Sequence, residues 1–371
     1  MNIGIDGNEA NVEKHVGVSV YTLELLKHFA KLKHDEVRFT VFLRDEPKIC
    51  MPKEHNSFTY EVIPAKILWS QIFLPYHLMF RSDIDVFFAP AHYAPRFLKQ
   101  PVVVSVHDLS YIKYPQEFLK KDLYKLNNWT KYSVMKAKKI IAVSKTTKKD
   151  ILNTFQLSED DVTVVYNGFS KTNSSSTLSH DVLIKYELNP KKYLLYVGTL
   201  QPRKNVPTLI EAFKEYRKQE SEFKLVLVGK KGWLFDKIYA KVQELNLEDH
   251  VIFTGFETDE ALTSLYKNAF CFVLPSFYEG FGIPILEAMS AGCPVVTSQA
   301  SSLPEIGGEA CLYFDPNDKN DLLEKLEKLT NDSKLYSTLI TEGKKRVKEF
   351  SWSKCAEETL SLLINPAKSI T

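Results

Sequence analysis

Residues 270–294 read FCFVLPSFYEGFGIPILEAMSAGCP. The run 270–274 is short, continuous and apolar, as a strand buried on both faces requires. Gly280, Gly282 and Pro284 then forbid a helix running straight on. Pro284, with its fixed φ and missing N–H, suits a first helical position, and Gly292 closes the helix. A strand, a tight glycine loop and a helix within one such stretch form the repeating unit of a parallel sheet covered by helices.

The unit recurs along the whole chain. Strand candidates in the first half are residues 2–6, 38–43, 59–63, 85–89, 102–106, 139–143 and 162–166, with helices at 18–33, 118–136 and 146–155. The stretch 171–180, KTNSSSTLSH, is polar and serine-rich and reads as a loop or linker. Strands restart at 193–197, 224–228, 251–254, 270–274, 295–297 and 312–314, with helices at 206–219 and 259–267 among others. At 371 residues the chain exceeds the roughly 250–300 at which one core stops growing. Two doubly wound α/β domains are therefore expected: 1–170, a linker at 171–190, and 191–351, with a final helix at 352–371. In such folds ligands bind beyond the carboxyl ends of the strands, and two facing domains would place the site in a central cleft.

Composition narrows the function. Hydrophobic residues are 44% and charged residues 25%, an ordinary globular balance. A net charge of +2 argues against nucleic acid as a partner. Between Ser110 and Asp150, however, eleven lysines stand against three acids. That is either a solvated helix face or an attraction for phosphate or an anionic surface. Five scattered cysteines without CxxC spacing suit a reducing compartment, and nine histidines form no HExxH pair, so no metal site is read. The start MNIGID has neither the basic start nor the apolar core expected of a signal peptide, and no apolar run nears the ~20 residues that span a bilayer. Residues 66–81, KILWSQIFLPYHLMFR, read as core packing, with an acceptor or membrane contact as the alternative.

Four segments carry candidate chemistry. Glu279 lies on the glycine loop and Glu287 about one turn into the helix, beside backbone N–H groups that favour an anion. Two carboxylates there can accept from the hydroxyls of a sugar and a ribose; the plainer reading is a turn whose acids cap the helix. After the 193–197 strand comes Gly198-Thr-Leu-Gln-Pro-Arg-Lys-Asn205, whose adjacent cations Arg203 and Lys204 could meet a pyrophosphate, or merely decorate a solvated turn. The 102–106 strand runs into His107-Asp108, placing a histidine at a carboxyl end; a lone histidine is more often a satisfied structural group. Gly17 precedes the first helix, but Gly4, Gly7 and Gly17 lack GxGxxG spacing, so no nicotinamide fingerprint is present.

The 275–294 segment resembles the donor motif of retaining glycosyltransferase family 4: two glutamates with seven residues between them, the first followed by Gly-Phe-Gly. The resemblance extends to Ser301-Ser-Leu-Pro-Glu305, Gly308-Glu-Ala310, Tyr166-Asn-Gly168 and Phe350-Ser-Trp352, and so covers most of the chain. It implies the GT-B fold, two Rossmann-like domains, with the nucleotide sugar on the second and the acceptor on the first. It implies that Glu279 approaches the transferred sugar, Glu287 holds the ribose, and Arg203 and Lys204 bind the phosphates. His107 would lie beside the sugar, and Gly17, Gly198, Gly280, Phe281, Gly282 and Ile283 would line the donor. One departure is Thr199, where many members carry the arginine.

The expected activity is transfer of a hexose with retention. No metal is expected, because cations and a helix start can replace one, and front-face displacement is the expected route. The segments GTLQPRKN, GKKGW (229–233) and SSLPE are similar to bacterial mannosyltransferases of polysaccharide and O-antigen assembly. That favours GDP-mannose, with UDP-glucose as rival. A glycan or polyprenyl-diphosphate-linked acceptor, a cytoplasmic location and a peripheral contact with the inner membrane face complete the expectation. A GT-B sugar-nucleotide epimerase would turn over donor without acceptor, and a non-catalytic binding subunit would not hydrolyse donor.

Overall fold

The computed structural model describes residues 1–32, 36–65, 67–170, 181–232 and 235–368. They divide into two compact units, Met1–Gly168 with Phe350–Thr371, and Phe169–Glu349. The serine-rich stretch 171–180 lies outside the described residues, as does Trp233 of the GKKGW segment. Residues 181–185, read as linker, form the helix Asp181–Lys185 and belong to the second unit.

The first unit holds seven strands: β1 Asn2–Asp6, β2 Arg38–Leu43, β3 Phe58–Val62, β4 Val86–Ala89, β5 Val102–Val106, β6 Lys139–Ala142 and β7 Val162–Val164. Their order is β3-β2-β1-β4-β5-β6-β7, every pair parallel. β4 and β5 are buried along their whole length, which accounts for their apolar sequence; the one polar residue, Ser105, is bonded to the Tyr21 hydroxyl at 2.9 Å.

The helix Trp352–Lys368 packs in this unit although it ends the chain. Trp352, Cys355, Ala356, Leu360 and Leu363 share one core with Tyr21, Leu25, Leu26 and Phe29 of the helix Val18–Phe29. The approach is close enough to dictate sequence: a Cβ on Gly168 would lie 2.3 Å from the Trp352 backbone nitrogen. Any side chain there would push the final helix away.

The segment read as core packing is only half so. Residues Trp69–Phe73 form a π-helical turn that continues into the helix Leu74–Met79. Trp69, Leu74 and Leu78 are buried, whereas Ile72, Phe73, Tyr76 and Phe80 face outward. Only one side of this helix meets the core of the sheet, so a segment this rich in apolar residues leaves some of them uncovered on the other.

The second unit holds six strands: β8 Tyr193–Val197, β9 Lys224–Val228, β10 Val251–Gly255, β11 Cys271–Leu274, β12 Val295–Ser298 and β13 Cys311–Phe314. The order is β10-β9-β8-β11-β12-β13, again all parallel. The progression of strands reverses between β8 and β11. Helices following these two neighbours therefore leave toward opposite faces, and a crevice opens beyond their carboxyl ends.

Candidate functional site

The loop after β8, residues 198–205, and the loop after β11, residues 275–282, meet at that reversal. Backbone and side-chain bonds tie them together. Phe277 N–H donates to the Arg203 carbonyl at 2.9 Å. Asn205, held at φ 55 as the cap of the helix Val206–Tyr216, donates from Nδ2 to the carbonyls of Pro275 (3.1 Å) and Pro316 (2.7 Å). Arg203 is buried, and its Nη1 donates to the Tyr278 carbonyl at 2.7 Å. It thus braces the second loop as well as charging it.

At the junction Lys204 Nζ lies 2.5 Å from Glu279 Oε1, which also accepts from Ser276 Oγ at 2.7 Å. Arg203 Nη1 stands 3.7 Å from the other oxygen. Burial by itself would push the Glu279 carboxyl up. The Lys204 and Arg203 charges, with the bonds from Lys204 and Ser276, outweigh burial and hold it below its ordinary value. Glu279 is therefore a largely buried carboxylate kept ionised by the buried Arg203 and the partly buried Lys204.

The rest of the glycine loop is held by hydroxyls. Ser301 Oγ and Ser302 Oγ donate to the Glu279 carbonyl at 2.6 and 2.9 Å, and Ser302 also reaches the Phe281 carbonyl at 2.9 Å. Gly282 then adopts φ 110 as the cap of the helix Ile283–Ser290, with Pro284 in its first turn. A residue with a side chain would be strained at that φ, so the turn that aims the helix start needs this glycine. Gly280, Phe281 and Ile283 accordingly line one loop and helix start. Gly198 sits at the other edge of the crevice, where its carbonyl oxygen would be 1.9 Å from a Cβ on Gly229.

Glu287 lies in the same helix and accepts from the Tyr266 hydroxyl at 2.8 Å. Burial pushes the Glu287 carboxyl up, and Tyr266 only partly offsets it; burial and Glu287 in turn push the tyrosine hydroxyl far up. Tyr266 was not a sequence candidate. It stands in the preceding helix, Asp259–Asn268, with no local pattern pointing to its partner.

His107 and Gly17 belong to the first unit. His107 directly follows β5; its Nε2 bonds the Pro90 carbonyl at 2.8 Å, and its ring packs edge-on against Tyr21 at 4.7 Å. Burial, then the neighbouring His92, push its pKa down to about 3 against the opposing pull of Pro90 and Asp108. The ring is neutral near pH 7, donating through Nε2, which leaves Nδ1 as its acceptor. Gly17 caps the helix Val18–Phe29 at φ 53, and a Cβ there would meet nothing within 4 Å. Conformation, not crowding, requires the glycine.

One acid escaped the sequence reading. Asp6 ends β1, at the strand-order reversal of the first sheet, and its Oδ1 accepts from Asn8 N and Nδ2, each at 3.1 Å. Burial pushes its pKa up to about 7, with Glu9 adding to the effect against the Asn8 bonds. The signal was available: an acid closing a buried strand at a carboxyl edge.

A cation pair, a helix start and two carboxylates gathered at one strand-order reversal suit a nucleotide sugar, and the class they define is the GT-B glycosyltransferases. Residues 184–346 match Glycosyl transferases group 1, and residues 16–172 match Glycosyltransferase Family 4. O-antigen chain mannosyltransferase B of Escherichia coli is 33% identical across 74% of this chain and 73% of its own length. The chain belongs to the group 1 glycosyltransferases and is a transferase acting on a nucleotide sugar. Sucrose-phosphate synthase from Thermosynechococcus elongatus has the same fold, with TM-score 0.74 and 21% identity over 97% of this chain and 98% of that one. HepE of Anabaena, solved with UDP and glucose, gives 0.73 and 18% over 98% of each.

Proposed function

We propose that this protein is a retaining mannosyltransferase that moves mannose from GDP-mannose to a glycan or polyprenyl-diphosphate-linked acceptor, without a metal ion. The observation that carries the reading is the Lys204–Glu279 pair, with Arg203 behind it, at the β8/β11 reversal. As the bond from the anomeric carbon to phosphate breaks, its electrons pass to the leaving diphosphate. Lys204 and Arg203 stabilise that developing charge. At an effective dielectric of about 20 and a separation of about 4 Å, one pair is worth ~4 kcal/mol before desolvation, or about three decades in rate. The N–H groups from Gly280 to Ile283 and the backbone at Gly198 add dipoles to the same anion. Glu279 orients the sugar hydroxyls and Glu287 the ribose.

The acceptor oxygen bonds the anomeric carbon from the face that phosphate leaves, and its proton passes to the departing phosphate oxygen. In this reading the first unit binds the acceptor. His107, neutral, orients a hydroxyl, and Gly17, at the start of the first helix, takes part in donor binding. A polyprenyl-linked acceptor would be met at the inner face of a membrane, which makes peripheral contact part of the proposal.

Mannose is favoured by the mannosyltransferase relative; UDP-glucose is the second reading, favoured by the UDP and glucose bound to HepE. A panel of nucleotide sugars, assayed for hydrolysis with and without EDTA, tests both. GDP-mannose should turn over fastest and EDTA should leave the rate unchanged. Faster UDP-glucose turnover would replace the donor, and loss with EDTA that magnesium restores would remove metal independence. A β-linked product from an α-linked donor would remove retention.

A further inference from the structure

On the first unit, Ile72, Phe73, Tyr76 and Phe80 form the outward side of the helical segment that begins at Trp69, and each is between 44% and 70% exposed. Phe97, at φ 60, is 77% exposed beside them. A ridge this apolar is unusual on a surface that meets only water. The acids bordering it, Glu61 and Asp83, both pair with Arg81, whose single charge offsets one of the two.

The ridge runs into a cationic helix. Arg96 Nε donates to Gln71 Oε1 of the ridge segment at 3.0 Å, and its guanidinium lies 5.1 Å from the ring of Tyr132. Phe97 N–H donates to the Tyr132 hydroxyl at 2.9 Å. Tyr132 belongs to the helix Lys120–Lys136, which carries five lysines and one acid, Asp122. All five lysines are exposed while Asp122 is half-buried. Apolar ridge and lysine face are therefore joined through residues 96 and 97.

We propose that the ridge and the lysine face together dock the protein on an anionic lipid bilayer, the aromatic and aliphatic side chains entering the headgroup layer and the lysines meeting lipid phosphates. Apolar and aromatic groups flanked by positive charge match the layered chemistry of such a surface. A second copy of the chain fits worse, because a symmetric contact through this face would set lysine against lysine. The docking stands on the surface itself; only its purpose, reaching a lipid-linked acceptor, rests on the transferase reading.

Flotation of the full chain with vesicles of phosphatidylglycerol and phosphatidylcholine, against phosphatidylcholine alone, tests it. Wild type should bind the anionic vesicles and release as salt rises. Ile72→Ser with Phe80→Ser should weaken binding at least tenfold, and so should Lys121→Gln, Lys125→Gln and Lys131→Gln together, at about fivefold per lysine. Both variants should keep wild-type melting and donor hydrolysis. Wild type ignoring anionic vesicles, or either variant binding like wild type, overturns the proposal. So does a wild-type dimer that the Ile72/Phe80 variant turns into a monomer, which would assign the ridge to a second copy. Vesicle binding without hydrolysis of GDP-mannose would instead remove the proposed donor and leave the docking surface standing.

Discussion

At the carboxyl edge of the second sheet, Lys204 and Arg203 enclose an ionised Glu279; at the carboxyl edge of the first, burial keeps His107 neutral and holds the Asp6 carboxyl up to about 7. Both edges lie on doubly wound parallel sheets, and both candidate groups follow strands at or near the order reversal. The scaffold is common to both, and the chemistry comes from what the loops carry. A crevice with two fixed cations suits a diphosphate whose charge grows during reaction. An edge with groups held near neutrality suits an uncharged hydroxyl. The contrast fits a division of labour in which one unit recognises charge and the other does not.

Removing the charge from the second edge should have the largest effect. Lys204→Ala should cut turnover by roughly two to three decades with circular dichroism unchanged, because it deletes stabilisation realised only as the phosphate departs. Near-normal turnover would erase the distinction between the edges. Glu279→Gln should be milder, about one to two decades. It should also tighten nucleoside diphosphate about tenfold, since two cations then lack their internal counter-charge. Calorimetry showing weaker diphosphate binding would mean that Glu279 helps hold the anion.

Tyr266→Phe removes one bond to the Glu287 carboxylate, worth about 1.5 kcal/mol, so the donor KM should rise roughly tenfold while kcat barely moves. A fall in kcat with unchanged KM would place Tyr266 in the chemical step.

The first edge should respond to pH more than to charge deletion. The folded pKa of His107, about 3, lies below its ordinary 6.5, so below pH 6.5 the unfolded chain takes up a proton that the folded ring refuses. Stability falls as pH drops from 6.5 toward 3, and urea midpoints of His107→Gln should be flatter across that window. Asp6 has the opposite sign: its folded carboxyl keeps its proton up to about pH 7 while the unfolded one loses it above 3.8, so stability falls as pH rises between them. Asp6→Asn should remove that slope.

What the sequence disclosed follows from the physics of each feature. Strands buried on both faces are mostly apolar runs, so β4, β5 and β11 stand out without any partner in view. Gly282 and Pro284 announce their helix start because a positive φ and a missing donor are local demands. The bracing of the loops is not local. Arg203 reaches Tyr278 and Ser302 reaches Glu279 across 75 and 23 residues, and no spacing rule marks those partners. The segment holding Ile72–Phe80 left two readings open, core packing or a surface contact, because apolar residues around most of a helix do not say which side the sheet covers.

The most direct test of the charged edge compares a nucleoside diphosphate with its monophosphate by calorimetry, in wild type and in Lys204→Ala. The account predicts that wild type prefers the diphosphate by about a hundredfold and that the preference collapses to within a few-fold in the variant. An undiminished preference in Lys204→Ala would contradict it and move the phosphate site away from the β8/β11 reversal.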